Sequence, residues 1–369
     1  MKSHSQFRRG IYGLLAVLLA FALVFDASTR AARAQEGSQG PQAPAPAAPP
    51  EPPPQPSGQP QKQQAPPAPI TTIAVQTNVV NVDAIVTDAD GNLVTDLKRE
   101  NFRLTDDGQL QQLTNFAPTE QPLTTVMLVE FSGTAYGFFG YKSEQWADGF
   151  LSALKPQDWV ALKTFDLRTT LQADFTQDKR EIDYAIRGLG FPGFSEAVLF
   201  DAIYETVDQL RDVKGKKSIL VIATGYDTFS KHTLDQILRR IKETDVTIFC
   251  VGMGEEIELY KANSGGVGYL QAKNQLTTFA RMTGGYAYFP RFTGEMGGIF
   301  NTIATYLRSQ YTLAFTPTTP QDGHYHKINV QVVDEDGNPL QLVNGKGKKK
   351  KAQVEYREGY TAANAPAGN

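Results

Sequence analysis

Residues 124–134 read TTVMLVEFSGT, an apolar and β-branched run that ends in a glycine-containing turn. Such a run predicts a strand buried on both faces, as in the centre of a parallel sheet. Glu130, Ser132 and Thr134 alternate along the end of this run. They are therefore expected to place one carboxylate and two hydroxyls at the carboxyl edge of the sheet, where open α/β folds bind ligands.

Alternating strand and helix patterns follow this first strand. Further strands are predicted in DWVALKTFD, KSILVIATG, VTIFCVGMG and YAYFP, and an edge strand in the hairpin TLQADF. Helices are predicted over 199–213, behind the capping box of Thr233 and Gln236, and over 297–309. The pattern predicts a doubly wound, mostly parallel α/β domain over residues 121–310.

The sequence on either side of this domain alternates with a period of two. Residues 71–120 include VVNVDAIVTD and NFRLTDDGQLQQLTNF, and residues 311–360 include YTLAFT, HKINVQVVD and AQVEYREGY. Neither segment has enough strands to cover its own apolar face. We expect the two segments to complete one β-sandwich in which the α/β domain is inserted; two separate small β units are the alternative.

The amino-terminal residues predict export. Basic residues precede an apolar run over 11–25, and Ala32-Arg33-Ala34 has the small-x-small pattern of a cleavage site, so residues 1–34 are expected to be a signal peptide. The alternative is an uncleaved anchor. The predicted location is the periplasm, the cell envelope or the extracellular space.

Two further segments predict disorder. Residues 35–70, rich in Pro, Ala and Gln, contain too few apolar side chains to form a core and are expected to be a disordered linker. Residues 361–369 are expected to be a disordered tail. Cleavage after Ala34 removes five basic residues and one acidic residue, which moves the formal charge from -3 to -7. An acidic mature chain argues against nucleic-acid binding.

Several motifs together resemble one protein family. They are the opening NVVNVDAIVTDADGNLVTDLKRENFRLTDDG, the strand ending EFSGT, LFDAIYETV, KSILVIATG, and the closing RSQYTLAFTPT with REGY. Over residues 72–360 the chain resembles the von Willebrand factor A-related module of secreted bacterial proteins. The resemblance implies a von Willebrand factor A-like sheet and a metal-ion-dependent adhesion site on three loops at its carboxyl edge.

The resemblance also implies which residues would form that site, and several of them depart from the family pattern. The family carries Asp-x-Ser-x-Ser, a Thr and an Asp on three successive loops. The corresponding positions and their near neighbours here are Glu130, Ser132, Thr134, Ser195, Thr224 and Asp227. Two readings stay open: a degenerate site for Mg²⁺ or Mn²⁺, both of which prefer oxygen ligands, or hydroxyls that only satisfy loop amides.

Catalytic patterns are missing from the sequence. There is no Gly-x-Ser-x-Gly elbow, and the single cysteine, Cys250, lies in the apolar run VTIFCVG. His324 and His326 flank Tyr325 at the start of a strand, where they either bind a metal as a pair or lie on an exposed strand face. We therefore expect a protein that is not an enzyme.

Aromatic residues follow the first strand, in GTAYGFFGYKSEQW. We expect Tyr136, Phe138, Phe139, Tyr141 and Trp146 either to contact a partner or to pack down as a local lid.

The leading hypothesis is a secreted, non-enzymatic binding or adhesion module for an unidentified protein or envelope partner, with membrane contact only through an uncleaved signal. The alternatives are a structural component of an envelope complex and, third, a hydrolase. The oligomeric state stays open.

Overall fold

The computed structural model describes residues 79–117, 122–139, 143–253, 267–319, 322–343 and 345–362. The side chains of residues 137–139, 143–146, 267 and 293 are not described. The predicted signal peptide, the predicted linker and residues 363–369 of the predicted tail lie outside these ranges. The predicted domain boundaries stay predictions.

Four antiparallel strands open the described chain. They are β1 (Val80–Thr87), β2 (Phe102–Asp106), β3 (Gln109–Gln111) and β4 (Leu113–Ala117). Asp107 and Gly108 join β2 to β3 with φ angles of 46° and 84°. Two consecutive positive φ angles are what a two-residue type I′ hairpin requires, and Asp-Gly is a favoured pair for it. The hairpin therefore fixes the position of Asp107 beside the end of β2.

The central sheet of the described residues has six strands. They are β5 (Leu123–Glu130), β6 (Trp159–Phe165), β7 (Thr169–Thr176), β8 (Lys216–Ala223), β9 (Thr247–Gly252) and β10 (Ala287–Tyr288). Their spatial order is β10-β9-β8-β5-β6-β7, and only β7, at one edge, runs antiparallel to its neighbour. The chain first adds β6 and β7 on one side of β5, and then adds β8, β9 and β10 on the other side of β5. This confirms the predicted doubly wound, mostly parallel sheet.

Seven α-helices accompany these strands in the part of the chain that is described. They are α1 (Gly133–Phe139), α2 (Ser143–Ala153), α3 (Lys179–Arg187), α4 (Leu199–Leu210), α5 (Leu234–Lys242), α6 (Val267–Met282) and α7 (Met296–Arg308). The capping box of Thr233 and Gln236 begins α5 as predicted. Helix α4 ends at Leu210 rather than at residue 213, because the chain turns there towards β8. Among the described helices, none is long and apolar enough to cross a membrane.

The helices cover both faces of the central sheet, and β5 shows how. Met127 and Val129 belong to the hydrophobic cluster formed with α2, α3 and α7, whereas Val126 and Leu128 belong to the cluster formed with α4, α5 and α6. All four side chains are fully buried. Because successive side chains of a strand point to opposite faces, a strand between two helix layers must be apolar at every position. This is why TTVMLVE shows a continuous apolar run.

All strands after α7 pair antiparallel. They are β11 (Tyr311–Phe315), β12 (Tyr325–Val332), β13 (Gln341–Val343), β14 (Lys349–Lys351), β15 (Gln353–Tyr356) and β16 (Gly359–Thr361). β13 and β14 pair with each other outside the two larger antiparallel sheets. One sheet has the order β15-β1-β11-β4 and the other β16-β12-β2-β3, so strands from both ends of the described chain pair in each. Buried residues of both sheets form one hydrophobic cluster. The predicted head and tail segments are thus interleaved rather than separate units.

One buried carboxylate ties several elements of the α/β domain together. Asp158 is fully buried; its Oδ1 accepts from the Leu123 amide at 3.1 Å, and its Oδ2 accepts from the Lys155 amide and from Arg308 Nη2, both at 2.7 Å. Arg308 also donates to the Ala153 carbonyl at 2.8 Å. The start of β5, the turn before β6 and the ends of α2 and α7 therefore share one charge-assisted network.

Replacing Asp158 by Ala is expected to lower the free energy of unfolding by about 3–5 kcal/mol, because Arg308 and two amides lose their buried partner. Urea denaturation measures the change. Asp183→Ala, which removes a surface ion pair between Asp183 and Arg187 on α3, is the control and should cost about 1 kcal/mol or less. Equal losses in the two variants would contradict the assigned role of Asp158.

Candidate functional site

The candidate site lies where the strand order of the central sheet reverses. β5 and β8 are neighbours, and the chain leaves β5 towards β6 but leaves β8 towards β9. In open α/β sheets this switch point opens a crevice at the carboxyl ends of the strands, which is where such folds bind ligands. Glu130 ends β5, and Thr224 directly follows β8. Both residues therefore lie at the carboxyl edge of the sheet, and their role in binding stays a prediction.

Glu130 is held by internal hydrogen bonds. Its Oε1 accepts from Ser132 Oγ at 2.7 Å, and its Oε2 accepts from the Thr224 amide at 2.7 Å and from Thr224 Oγ1 at 2.8 Å. All three residues are almost completely buried. Gly225, with a φ of 87°, allows the chain to turn immediately after Thr224. That turn directs both donors of Thr224 at the carboxyl group.

Burial raises the pKa of Glu130 above its ordinary value, and the hydrogen bonds from Ser132 and Thr224 oppose this shift only in part. A carboxyl group removed from water favours its neutral, protonated form unless a positive charge compensates. The group therefore keeps its proton to a higher pH than an exposed glutamate does.

The other predicted ligand residues have different partners. Thr134 Oγ1 donates to the Ser195 carbonyl at 3.2 Å, which joins the loop after β5 to the loop before α4. The Ser195 amide donates to Glu196 Oε2 at 3.1 Å. Asp227 accepts from the Phe200 amide at 3.1 Å and from Ser230 Oγ, so its carboxylate satisfies an amide in the first turn of α4. The structure thus brings together Glu130, Ser132 and Thr224, and assigns Thr134, Ser195 and Asp227 to loop contacts.

These contacts are a poor fit to a site for Mg²⁺ or Mn²⁺. Mg²⁺ requires nearly octahedral oxygen coordination and usually binds through one or two carboxylates that face solvent or substrate. Both oxygens of Glu130 already accept hydrogen bonds from buried donors. Both alternatives, a degenerate metal site and hydroxyls that satisfy loop amides, stay predictions.

A second carboxylate organises the neighbouring loop, and the sequence analysis missed it. Asp201, in the first turn of α4, accepts from the amides of Lys231 and His232, both at 2.9 Å, and from His232 Nδ1 at 2.7 Å. Burial opposes ionisation of Asp201, but these hydrogen bonds outweigh it and lower its pKa. The His232 ring stacks on Tyr204 with centroids 4.0 Å apart. The D and Y of LFDAIYETV therefore hold the loop before α5.

Exposed phenylalanines surround the site, and the sequence analysis missed these as well. Phe191 is 85% exposed, Phe229 65% and Phe194 44%. Phe191 and Phe194 lie on the loop before α4, and Phe229 lies on the loop after β8. The Phe194 carbonyl accepts from the Gly133 amide at 2.7 Å, and the Phe229 amide donates to the Ala197 carbonyl at 3.3 Å. We refer to Phe191, Phe194 and Phe229 as the rim. The sequence indicates their exposure only by placing these phenylalanines in short segments with polar or turn-forming neighbours, FPGFSE and YDTFS.

The predicted aromatic contact loop is described only in part. Tyr136 is half-buried, and its ring lies 5.8 Å from that of Phe131 and 5.6 Å from that of Phe191, measured between centroids. It therefore joins the rim to the loop after β5. The side chains of Phe138, Phe139 and Trp146 are not described, and Tyr141 lies outside the described residues. Their predicted contact role stays a prediction.

The strand order, the antiparallel edge strand and the two helix layers define a doubly wound α/β domain consistent with a von Willebrand factor A-like fold. No protein-family profile matches the sequence, and no curated protein matches it.

Several solved structures are similar at low sequence identity. A von Willebrand factor type A protein from Catenulispora acidiphila is 11% identical with a TM-score of 0.41, over 78% of this chain and 75% of that one. The von Willebrand factor domain of the type V pilus tip protein from Porphyromonas gingivalis is 12% identical with a TM-score of 0.38, over 51% and 95%. Proximal thread matrix protein 1 of the mussel byssus is 10% identical with a TM-score of 0.40, and the match spans 50% of this chain but only 48% of that protein.

The buried carboxyl group gives a pH-dependent prediction. Because the pKa of Glu130 is raised in the folded chain, the folded state binds more protons than the unfolded state above about pH 4.3, the ordinary value for glutamate. The free energy of unfolding contributed by this group therefore falls as the pH rises. Glu130→Gln keeps the shape and does not titrate, so its stability relative to the wild type should increase between about pH 4 and pH 7.

Denaturant unfolding at a series of pH values measures this difference. Glu181→Gln, on the exposed face of α3, controls for the loss of one surface carboxylate and should show no such trend. A stability difference between Glu130→Gln and the wild type that is constant with pH would show that Glu130 titrates as an ordinary glutamate.

Proposed function

We propose that the chain is an exported, non-enzymatic binding module that contacts a protein partner through the rim, and that this contact needs no metal. The observation that carries the proposal is the internal closure of the carboxyl edge around Glu130. A site that used a cation to bind a carboxylate of the partner would need open coordination positions at this point. Here the same position is occupied by hydrogen bonds within the chain.

The rim supplies a different means of contact. Three phenylalanine side chains, all at least 44% exposed, lie on two adjoining loops at the ligand-binding edge of the sheet. Large aromatic side chains dominate the energetics of interfaces when a partner buries them. Isolated exposed apolar residues are common on protein surfaces, but a group of them at a binding edge indicates an interaction site. The rim favours a partner with an apolar surface.

Backbone contacts hold the rim in place. The Gly133 amide bonds to Phe194, Thr134 bonds to Ser195, and Asp201 and Asp227 fix the loop that carries Phe229 to the first turn of α4. Loops fixed in this way lose less conformational entropy when they bind. The rim is therefore preorganised for a protein surface.

The antiparallel sheets are proposed to support the α/β domain. We infer that they form one β-sandwich, because strands from both ends of the described chain pair in each sheet and their buried residues share one cluster. In this arrangement the inserted α/β domain presents its rim from a rigid base. The predicted linker would then separate the base from whatever the amino terminus is attached to.

Two of the described histidines, His232 and His326, have surroundings that support a non-enzymatic role. His232 bonds through Nδ1 to Asp201 and stacks on Tyr204, an arrangement that holds a loop. His326 is buried among carboxylates in the antiparallel sheets. Neither histidine has a nucleophilic hydroxyl or thiol among the hydrogen-bond partners described for it, which is the pairing that covalent catalysis requires.

The rim is tested by replacing Phe191 and Phe229 with Ser in the mature chain. Immobilised wild-type and variant chains are incubated with envelope extract of the source organism, and captured proteins are quantified by mass spectrometry. Loss of a buried aromatic anchor costs about 2 kcal/mol or more, which corresponds to about 30-fold in affinity. Capture of the specific partner should therefore fall by at least that factor in the double variant.

Tyr184→Ser is the matched control, because Tyr184 is 73% exposed on α3, outside the rim. It should capture the partner as the wild type does. Undiminished capture by the double variant would refute the proposal. If the captured partner is this same chain, the assembly role is favoured instead, and sedimentation of the two variants would show whether the rim mediates it.

A further inference from the structure

A second cluster of charged groups lies in the antiparallel sheets, apart from the rim. Asp106 ends β2, Asp107 begins the hairpin turn, and His326 lies in β12, which pairs with β2. One oxygen from each aspartate and one nitrogen of His326 all lie within 4.8 Å of one another. The sequence places these residues about 220 positions apart, and the strand pairing brings them together.

The structure corrects the predicted environment of the histidines. The sequence left His324 and His326 either as a metal-binding pair or on an exposed strand face. Instead His324 is exposed whereas His326 is only 5% exposed and stacks on Tyr360, with centroids 5.4 Å apart. The two differ because β12 begins at Tyr325, so only His326 alternates with the inward-facing side chains of that strand.

The ring of His326 is oriented by a third carboxylate, that of Asp322. Its Nε2 lies 3.3 Å from Asp322 Oδ1, which accepts a hydrogen bond from the tautomer that carries its proton on Nε2. In the neutral imidazole only one ring nitrogen carries a proton, so Nδ1 then presents a lone pair. This nitrogen lies 2.9 Å from Asp107 Oδ2 and 3.9 Å from Asp106 Oδ1. A lone pair therefore points towards two carboxylate oxygens.

Two of these buried atoms have no hydrogen-bond partner among the described residues. Asp106 is completely buried, and its Oδ2 accepts from Thr319 Oγ1 at 2.7 Å and from the Tyr360 hydroxyl at 2.9 Å, but its Oδ1 has none. His326 Nδ1 has none either, because its close contact with Asp107 lacks hydrogen-bond geometry. Unpaired buried polar atoms are rare and costly. One cation shared with the nearby Asp107 Oδ2 would satisfy both unpaired atoms.

We propose that Asp106, Asp107 and His326 bind a divalent cation of the zinc class. Zn²⁺ accepts imidazole nitrogen and carboxylate oxygen at about 2.0–2.2 Å, so its neighbouring ligand atoms lie roughly 3.3–3.5 Å apart in a tetrahedral site. The observed separations of 2.9 Å and 3.9 Å lie on either side of that value. A mixed set of one nitrogen and two oxygens also favours zinc over magnesium, which prefers oxygen alone.

The surroundings match those of known metal-binding histidines in two respects. Such histidines usually donate their other ring N–H to a carboxylate, and Asp322 accepts that hydrogen bond here. The Asp107 side chain is 47% exposed, which gives an ion a path from solvent. The bound ion would join the β2–β3 hairpin to β12, and thereby link the two distant segments of the antiparallel sheets. This site is independent of the rim and of the proposed binding function.

The test is a calorimetric titration of the chelator-treated full chain with ZnCl₂. We expect one Zn²⁺ per chain and a thermal unfolding midpoint that rises with Zn²⁺ concentration. Asp107→Asn should weaken binding at least about tenfold, and Asp322→Asn by about 10- to 100-fold. Asn tolerates the positive φ of position 107 and can still accept from the Lys327 amide through its carbonyl oxygen, so this variant should fold.

His324→Gln is the matched control, because it removes an exposed histidine two residues from His326 without touching the cluster; it should bind Zn²⁺ as the wild type does. If Asp107→Asn and His326→Gln, tested as separate variants, both bind Zn²⁺ with the affinity of the wild type, the proposal is overturned. The absence of binding in the wild type would also overturn it, and would mean that a proton on Nδ1 alone balances the two aspartates.

Discussion

The carboxyl group of Glu130 is the constraint on which the candidate site depends. Transferring an ionised carboxylate from water into a protein interior costs several kcal/mol unless the charge is compensated. In this chain Ser132 and Thr224 surround the group with donors, and burial favours the protonated form. The loops after β5 and β8 must therefore keep the geometry that satisfies Glu130, and this geometry determines where the rim lies.

The rigidity of these loops follows from the core beneath them. β5 and β8 are buried on both faces between two helix layers, so their ends cannot shift without disturbing both hydrophobic clusters. Asp158 and Arg308 connect the opposite end of β5 to α7. A sheet held at both ends presents its carboxyl edge as a fixed surface, which suits a preorganised contact more than a site that changes shape around an ion.

Local sequence patterns were sufficient to predict most of the secondary structure and the class of the α/β domain. The run TTVMLVE has a buried strand's composition, and the Thr233 capping box is complete within four residues, so both could be predicted without tertiary information. The sequence also showed that Glu130 stands where the family pattern has its first Asp. Its hydrogen bonds were not, because Thr224 approaches it only through pairing of β5 with β8, 94 residues away.

The features that the sequence analysis missed all depend on contacts between distant segments. Burial of His326 requires the register between β12 and β2, which no local pattern specifies. Exposure of Phe191 and Phe229 is unexpected from composition alone, since phenylalanine is usually buried. The role of Asp201 depends on the amide of His232, 31 residues away, which no local pattern places beside it. The hydrophobic periodicity of a sequence and the secondary-structure propensities of its residues indicate which face of a helix or strand is apolar. They do not indicate which polar groups come into contact.

The most direct test of the closed carboxyl edge is a calorimetric titration of the full chain with Mg²⁺. This ion prefers oxygen ligands and therefore distinguishes the edge from the histidine-containing cluster. The internal hydrogen bonds of Glu130 predict no saturable Mg²⁺ binding at millimolar concentrations. Saturable binding of one Mg²⁺ per chain that is lost in Glu130→Gln would show that the edge opens to bind a cation, and would contradict the account.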